Sequence, residues 1–340
     1  MGNRRFVIYG AGAVGGGLGA LLTRAGHEVV LIARGPHLDA LRSDGLRLIT
    51  PVGADTIPVA AVASPNELSI SADDVVFLTV KSNDTEQALR DLEAAADPGV
   101  PVVCAQNGVA NERAALRRFP NVYGMWTMFP VVHLRPGVVQ PRCWPTPAVL
   151  DIGRYPGGVD ENAKTIAAAI ESTGCRSTPR PDIMRWKYAK LLKNLVNAVD
   201  AIAEPGPTAM EIIAELKAEG QRVLAAAGIE FTGAEEEDRR LGDSLRQTAP
   251  VEGAGISGSS SWQSVARGTG RIESDYLNGE IVLLGRLHGT PAPVNEFARR
   301  IANEFVRAGR PPSSLSDNDL RAAFDSAPGI RASTASHLRS

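Results

Sequence analysis

The most restrictive feature of this chain stands at its start, where an apolar tetrapeptide, Phe6-Val7-Ile8-Tyr9, runs into Gly10-Ala11-Gly12-Ala13-Val14-Gly15. The spacing is GxGxxG, and it falls after a predicted strand and before a helical stretch that reaches to about Ala25. In such a turn the first glycine permits the sharp bend and the second lets a pyrophosphate approach the backbone. The third lets helix and strand pack closely. Phosphates then rest on free N–H groups at the positive end of the helix dipole. A glycine turn with no ligand is the competing reading, and the strand–turn–helix context weighs against it.

The remainder of the first half keeps the alternation. Gly26 stops the first helix, and further buried strands are predicted at 28–33, 74–80, 100–104 and 148–152. Helical patterns at 84–96, 111–118 and 161–172 lie among them. The pattern predicts an α/β fold, a Rossmann-type doubly wound parallel sheet occupying residues 1–178. Pro179-Arg180-Pro181 then breaks the chain. Helices at 184–202, 209–227 and 274–288, with no convincing strand between them, predict an all-helical C-terminal domain over 182–310. The cluster from Glu235 to Arg240 reads as a solvated helix face, and the Gly/Ser-rich stretch 253–261 as a loop. Residues 311–340 read as a C-terminal tail whose last dozen residues are expected to be mobile.

The corner after the second strand bears on which dinucleotide would bind. NAD-specific folds carry Asp or Glu there for the ribose hydroxyls, whereas this chain has Ala33-Arg34-Gly35. An arginine can fork onto a 2′-phosphate, so NADP(H) is the expected cofactor. A surface arginine is the plain alternative. Lys81, after another apolar strand, can add positive charge or simply be solvated. Asn107, in Gln106-Asn107-Gly108, either meets the cofactor or shapes a turn.

Composition narrows the function classes. The net charge is -2, from 36 Lys+Arg against 38 Asp+Glu, so no basic field is present to attract nucleic acid or an anionic membrane. The three cysteines and five histidines are scattered, which signals neither a disulfide framework nor a metal site. No apolar run reaches spanning length, no signal-peptide cleavage site follows the N-terminus, and a cytoplasmic setting is expected. Oligomeric state stays open, a homodimer being one of the options.

In the second half, Trp186 to Asn197 places Asn194 and Asn197 within roughly 40° and 20° of Lys190 on an ideal helix. Leu191, Leu192, Leu195, Val196, Val199 and Ile202 occupy the other side. Periodicity alone does not distinguish a polar stripe facing water from one facing a ligand.

The GxGxxG start, the Val80-Lys81-Ser82-Asn83-Asp84 segment, Gln106-Asn107-Gly108, the Trp186…Lys190…Asn194 helix and Arg271 to Gly279 occur together and in order. As a set they resemble the ketopantoate reductase family over about residues 5 to 300. The resemblance implies a Rossmann domain with a helical domain, a site in the cleft between them, and NADPH-dependent reduction of a 2-keto acid. It implies that Lys190 protonates the substrate oxygen, with Lys187 as the fallback donor. It further implies that Asn194, Asn197 and Ser260 contact substrate, and that Glu273 lies near the nicotinamide ribose and the reacting oxygen. Arg34, Lys81 and Asn107 match cofactor contacts, beside the loop residues Gly10, Ala11, Gly12, Ala13, Val14 and Gly15. Three departures are visible: the asparagines stand three apart where the family usually has four, Pro205-Gly206-Pro207 occupies a place where another asparagine can stand, and the Gly268-Thr269-Gly270 stretch adds about one residue between Ser260 and Glu273. A related NADP-dependent hydroxy-acid dehydrogenase and a non-catalytic NADPH-binding sensor are the alternative functions.

Overall fold

The structure, a computed structural model, describes residues 4–246 and 258–330. It divides into two compact units. One comprises the chain up to Lys187 and the segment from Thr232 to 246; the other comprises Tyr188–Phe231 and the chain from 258 onward. The sequence reading has a single boundary near 180. These units divide after Lys187, within a helix, and the first also holds 232–246.

In the first unit, β1 (Phe6–Tyr9) leads through the glycine turn into α1 (Ala13–Arg24), and β2 (Val29–Ile32) into α2 (Gly35–Asp44). A hairpin of β3 (Leu46–Thr50) and β4 (Gly53–Ile57) and a short β5 (Ala60–Val62) precede β6 (Val75–Leu78). Then come α3 (Thr85–Ala95), β7 (Val102–Cys104) and α4 (Asn111–Leu116). Strands β8 (Val122–Met128), β9 (Val131–Val132), β10 (Val138–Pro141) and β11 (Val149–Arg154) and helix α5 (Glu161–Glu171) follow. The main sheet has seven strands in the order β11-β8-β7-β6-β1-β2-β5. All its pairings are parallel except that of the edge strand β11, which runs against β8. A second sheet, β4-β3-β10-β9, was not anticipated.

Strands β1, β2, β6 and β7 are buried throughout, so they show unbroken apolar runs rather than alternation. Sheet order matters most for the site. From β1 the chain first moves to one side, toward β2 and β5, then reaches β6 on the other side. The glycine turn thus lies at the switch point, where open α/β sheets bind ligands beyond the carboxyl ends of their strands.

The second unit is helical. Helix α6 (Ile183–Asn194) begins in the first unit and ends in the second. It is followed by α7 (Asn197–Ile202) and α8 (Pro207–Ala226). Helix α9 (Ala234–Leu241) belongs to the first unit, while α10 (Ser260–Ala266), α11 (Asn278–Leu287), α12 (Pro293–Arg307) and α13 (Asp317–Ser326) complete the second.

Several expectations are corrected. The helix read as continuous over 184–202 breaks after Asn194, so Lys190 and Asn197 do not share one ideal helix. The charge cluster forms α9, but Glu237 and Arg240 are buried and only the rest of that face is solvated. Ser260 and Ser261 are helical rather than loop; 253–257 lie outside the described residues. Residues 311–330 do not trail away: Leu315 N donates to Ile202 O, and Asp317 accepts from Thr208 N and Oγ1 at the start of α8. The expected mobility of the last dozen residues falls almost entirely on 331–340, outside the described residues. No helix among the described residues is long and apolar enough to cross a membrane.

Candidate functional site

The four expected cofactor elements follow four adjacent parallel strands, ordered β7-β6-β1-β2. Asn107 comes after β7, Lys81 after β6, the glycine turn after β1 and Arg34 after β2. The structure therefore brings all of them to the carboxyl end of the sheet.

The glycines of the turn have different physical reasons. Gly10 has φ +111°, and a Cβ there would stand 2.6 Å from Val80 N. A Cβ on Gly15 would stand 2.1 Å from Gly10 O and 2.5 Å from Thr79 Oγ1. Both glycines are demanded by packing. Gly12 has φ −67° and caps α1, and a Cβ on it would meet nothing within 4 Å. Neither backbone strain nor crowding accounts for it, and open space over a helix N-terminus is what an approaching phosphate requires. Ala11, Ala13 and Val14 complete the turn, with Ala11 buried. The residues present fit a dinucleotide.

Two further groups hold this turn, and the sequence reading missed both. Thr79 Oγ1 lies 2.8 Å from Gly10 O and 3.0 Å from Tyr9 O, sharing its hydroxyl proton between them. His37, in the first turn of α2, donates from Nε2 to Ala11 O at 2.7 Å and accepts Gly137 N–H at Nδ1 at 2.9 Å. These two bonds select the neutral tautomer with the proton on Nε2. His37 thereby ties the glycine turn to the corner that carries Arg34. The available signal was a histidine three residues past that arginine.

Arg34 is exposed at the N-cap of α2, and no acidic residue stands in the first turn of that helix. Tyr9, below this corner, has its hydroxyl pushed up to about 12, chiefly by burial and then by Asp91, against the opposing pull of Arg34.

A buried polar network joins the segments after β6 and β7. Gln106 Nε2 donates to Thr85 Oγ1 at 2.8 Å, which donates to Asn111 Oδ1 at 2.8 Å. Asn111 Nδ2 donates to Asn107 O at 3.1 Å and to Ser82 Oγ at 3.3 Å. The Lys81 and Asn107 segments are thus fastened to each other. Lys187, the fallback proton donor, is engaged in the same unit. Its ammonium donates to Cys104 O at 3.2 Å and Gln106 O at 3.1 Å and pairs with Glu112. Burial together with the Glu112 carboxylate pushes the Cys104 thiol well above its usual range.

In the second unit, Lys190 is half-buried on α6 and Lys193 is exposed. Asn194 closes α6 and Asn197, buried, opens α7. Helix α10, which starts with Ser260, packs against α7. Asn194 Nδ2 and Ser260 Oγ are both buried and have no hydrogen-bond partner among the described residues. Other buried side-chain atoms among the described residues share this state, Trp126 Nε1 and Thr232 Oγ1 among them, but these two fall at expected substrate contacts. Glu273 is buried just before α11, and its carbonyl accepts from Tyr276 and Leu277 N.

The junction between α6 and α7 has its own support. Asn278 Nδ2 donates to Leu195 O and to Asn295 Oδ1, both at 3.1 Å. Asn295 in turn donates from Nδ2 to Glu219 at 2.8 Å, and Glu219 also receives Val294 N and Asn295 N. Burial pushes the Glu219 carboxyl above its ordinary value despite these donors.

Residues 6–157 match the family described as ketopantoate reductase PanE/ApbA, and residues 182–305 match its C-terminal domain. A 2-dehydropantoate 2-reductase of Archaeoglobus fulgidus is 32% identical, covering 86% of this chain and 94% of its own length. The crystal structure of a PanE/ApbA family ketopantoate reductase from Ralstonia eutropha JMP134 aligns at TM-score 0.74 and 28% identity, covering 90% of this chain and 99% of that one. A ternary structure of D-mandelate dehydrogenase with NADH and anilino(oxo)acetate shares the fold at TM-score 0.74 and 23% identity, covering 90% and 99%. The match runs through both units and through every motif at the carboxyl end of the sheet, and this chain belongs to the ketopantoate reductase family of oxidoreductases.

Proposed function

We propose that this chain is an NADPH-dependent reductase of a 2-keto acid, with 2-dehydropantoate the first substrate to test and pantothenate biosynthesis its setting. The observation that carries the reading is the pair of buried, unpartnered polar atoms at Asn194 and Ser260. They offer one amide donor and one hydroxyl to a ligand, enough to orient a carboxylate without neutralising it. Asn197 is the third residue of this set.

The cofactor, when bound, supplies hydride to the ketone carbon. The glycine turn from Gly10 to Gly15 presents N–H groups to its pyrophosphate, Arg34 pairs with the 2′-phosphate, and Lys81 and Asn107 add further contacts. Negative charge builds on the substrate oxygen as hydride arrives, and Lys190 stabilises it and gives the proton. Glu273 is the acidic residue beside the nicotinamide ribose and the reacting oxygen.

The test follows NADPH absorbance with 2-dehydropantoate and with a panel of branched, linear and aromatic 2-keto acids, each repeated with NADH. Oxidation of NADPH with at least one keto acid is expected. The preference over NADH should be about tenfold to 150-fold, the worth of one charge-assisted hydrogen bond, and should shrink in Arg34→Asp. Tight NADPH binding without turnover on any keto acid would favour the non-catalytic sensor.

A further inference from the structure

We propose that the buried Lys187–Glu112 pair is a positioning device for the Gln106-Asn107-Gly108 turn, and so for the cofactor contact at Asn107. The second half of that statement rests on the function proposed above; the first half does not.

The side chains of Lys187 and Glu112 are 2% and 0% exposed, so both charges are fully withdrawn from water. Among the described residues neither Glu112 oxygen receives a hydrogen bond, and the Lys187 ammonium is the cation paired with this carboxylate. The ammonium meets three oxygens here: it donates hydrogen bonds to Cys104 O and Gln106 O, and it forms an ion pair with the Glu112 carboxylate. These oxygens bracket the turn. Cys104 ends β7, Gln106 begins the turn, and Glu112 lies in the first turn of α4 just beyond it. One side chain from α6 therefore grips the turn on both sides. Asn111 Nδ2 holds the middle by its bond to Asn107 O.

Stability alone is a poor reason for this arrangement. Desolvating two charges costs as much as their attraction returns, and a well-packed apolar pair of similar volume would hold the helix against the sheet equally well. Apolar side chains cannot collect two carbonyls and a carboxylate at one point. The specific product of the charge pair is the conformation of the backbone from 104 to 112.

The experiment compares Lys187→Met, the double variant Lys187→Met with Glu112→Leu, and the unaltered protein. Lys187→Met should unfold at markedly lower temperature, because it leaves a bare carboxylate in the core. The double variant should recover much of that loss. Amide hydrogen exchange over 105–111 in the cofactor-free protein should nevertheless be about tenfold faster or more in the double variant, with exchange in β1 and β6 unchanged. NADPH should bind about tenfold more weakly to it by fluorescence titration. A double variant with unaltered exchange at 105–111 overturns the proposal outright. Faster exchange with unaltered NADPH affinity overturns the link to the cofactor and leaves the positioning of the turn. If the unaltered protein binds neither NADPH nor NADH, the proposed function fails, while the exchange data still decide the role of the pair.

Discussion

Lys187 and Lys190 stand three residues apart on α6, and their surroundings separate them. Lys187 has its ammonium engaged within the first unit by two carbonyls and the Glu112 carboxylate. Lys190 is half-buried and belongs with Asn194 in the second unit. Lys190→Ala should lower turnover by roughly 10²–10⁴-fold and leave NADPH affinity nearly unchanged in a direct titration. The exposed Lys193→Ala should alter neither, and should shift stability by less than about 0.5 kcal/mol. Full turnover in Lys190→Ala would move the proton transfer to Glu273 or to a water.

At the scale of elements, the glycine turn separates ligand-driven residues from packing-driven ones. Gly15→Ala would push a methyl into Gly10 O and Thr79, and it should destabilise the fold by several kcal/mol or block folding. Gly12→Ala meets open space at an ordinary φ, so its melting temperature should stay within a few degrees of the unaltered protein or rise slightly. Its NADPH affinity should still fall at least about tenfold, because the methyl sits where a pyrophosphate approaches. Equal affinity in calorimetry would mean that Gly12 faces no ligand. Strand β8 illustrates what element-level reading misses. Six of its seven residues are buried, with no alternation, and a glycine at its third position lowers its strand propensity. That glycine has a local reason: a Cβ on Gly124 would press on Ile183, Met184 and Lys187 at 3.3–3.4 Å, so it lets the start of α6 lie close to the strand.

At the scale of the whole molecule, the chain leaves the first unit after Lys187, returns at Thr232 and is back in the second by 258. One buried cluster holds the returning segment. Asp151, fully buried on β11, accepts from Thr178 N, Arg180 Nε and Arg240 Nε, and Arg240 also pairs with its second oxygen. Arg240→Met should cost about 3 kcal/mol, the low end for breaking a buried pair, since Arg180 and Thr178 still face the carboxylate. Denaturant unfolding would read that loss, and limited proteolysis should cut the 232–246 segment faster. The exposed neighbour Arg239→Met should change stability by less than about 0.5 kcal/mol.

The parts of this molecule that were readable from the chain are those governed by local chemistry. GxGxxG after an apolar run demands a turn and a helix whatever surrounds it. Buried parallel strands announce themselves as unbroken apolar tetrapeptides, and the missing acid after β2 is visible in one residue, Arg34. The α/β half and the helical half follow from those patterns. Other features depend on partners far away in sequence. Whether Glu235 to Arg240 faces water or the core depends on Asp151, 89 residues earlier than Arg240. Whether Lys187 is a catalyst or a clamp depends on Glu112 and on two carbonyls more than 80 residues away. The break between α6 and α7 is held by Asn278, 83 residues on, which takes the carbonyl of Leu195. A charge and a polar side chain carry no local signal of their partner, because burial creates the need for that partner and burial exists only once the chain has folded.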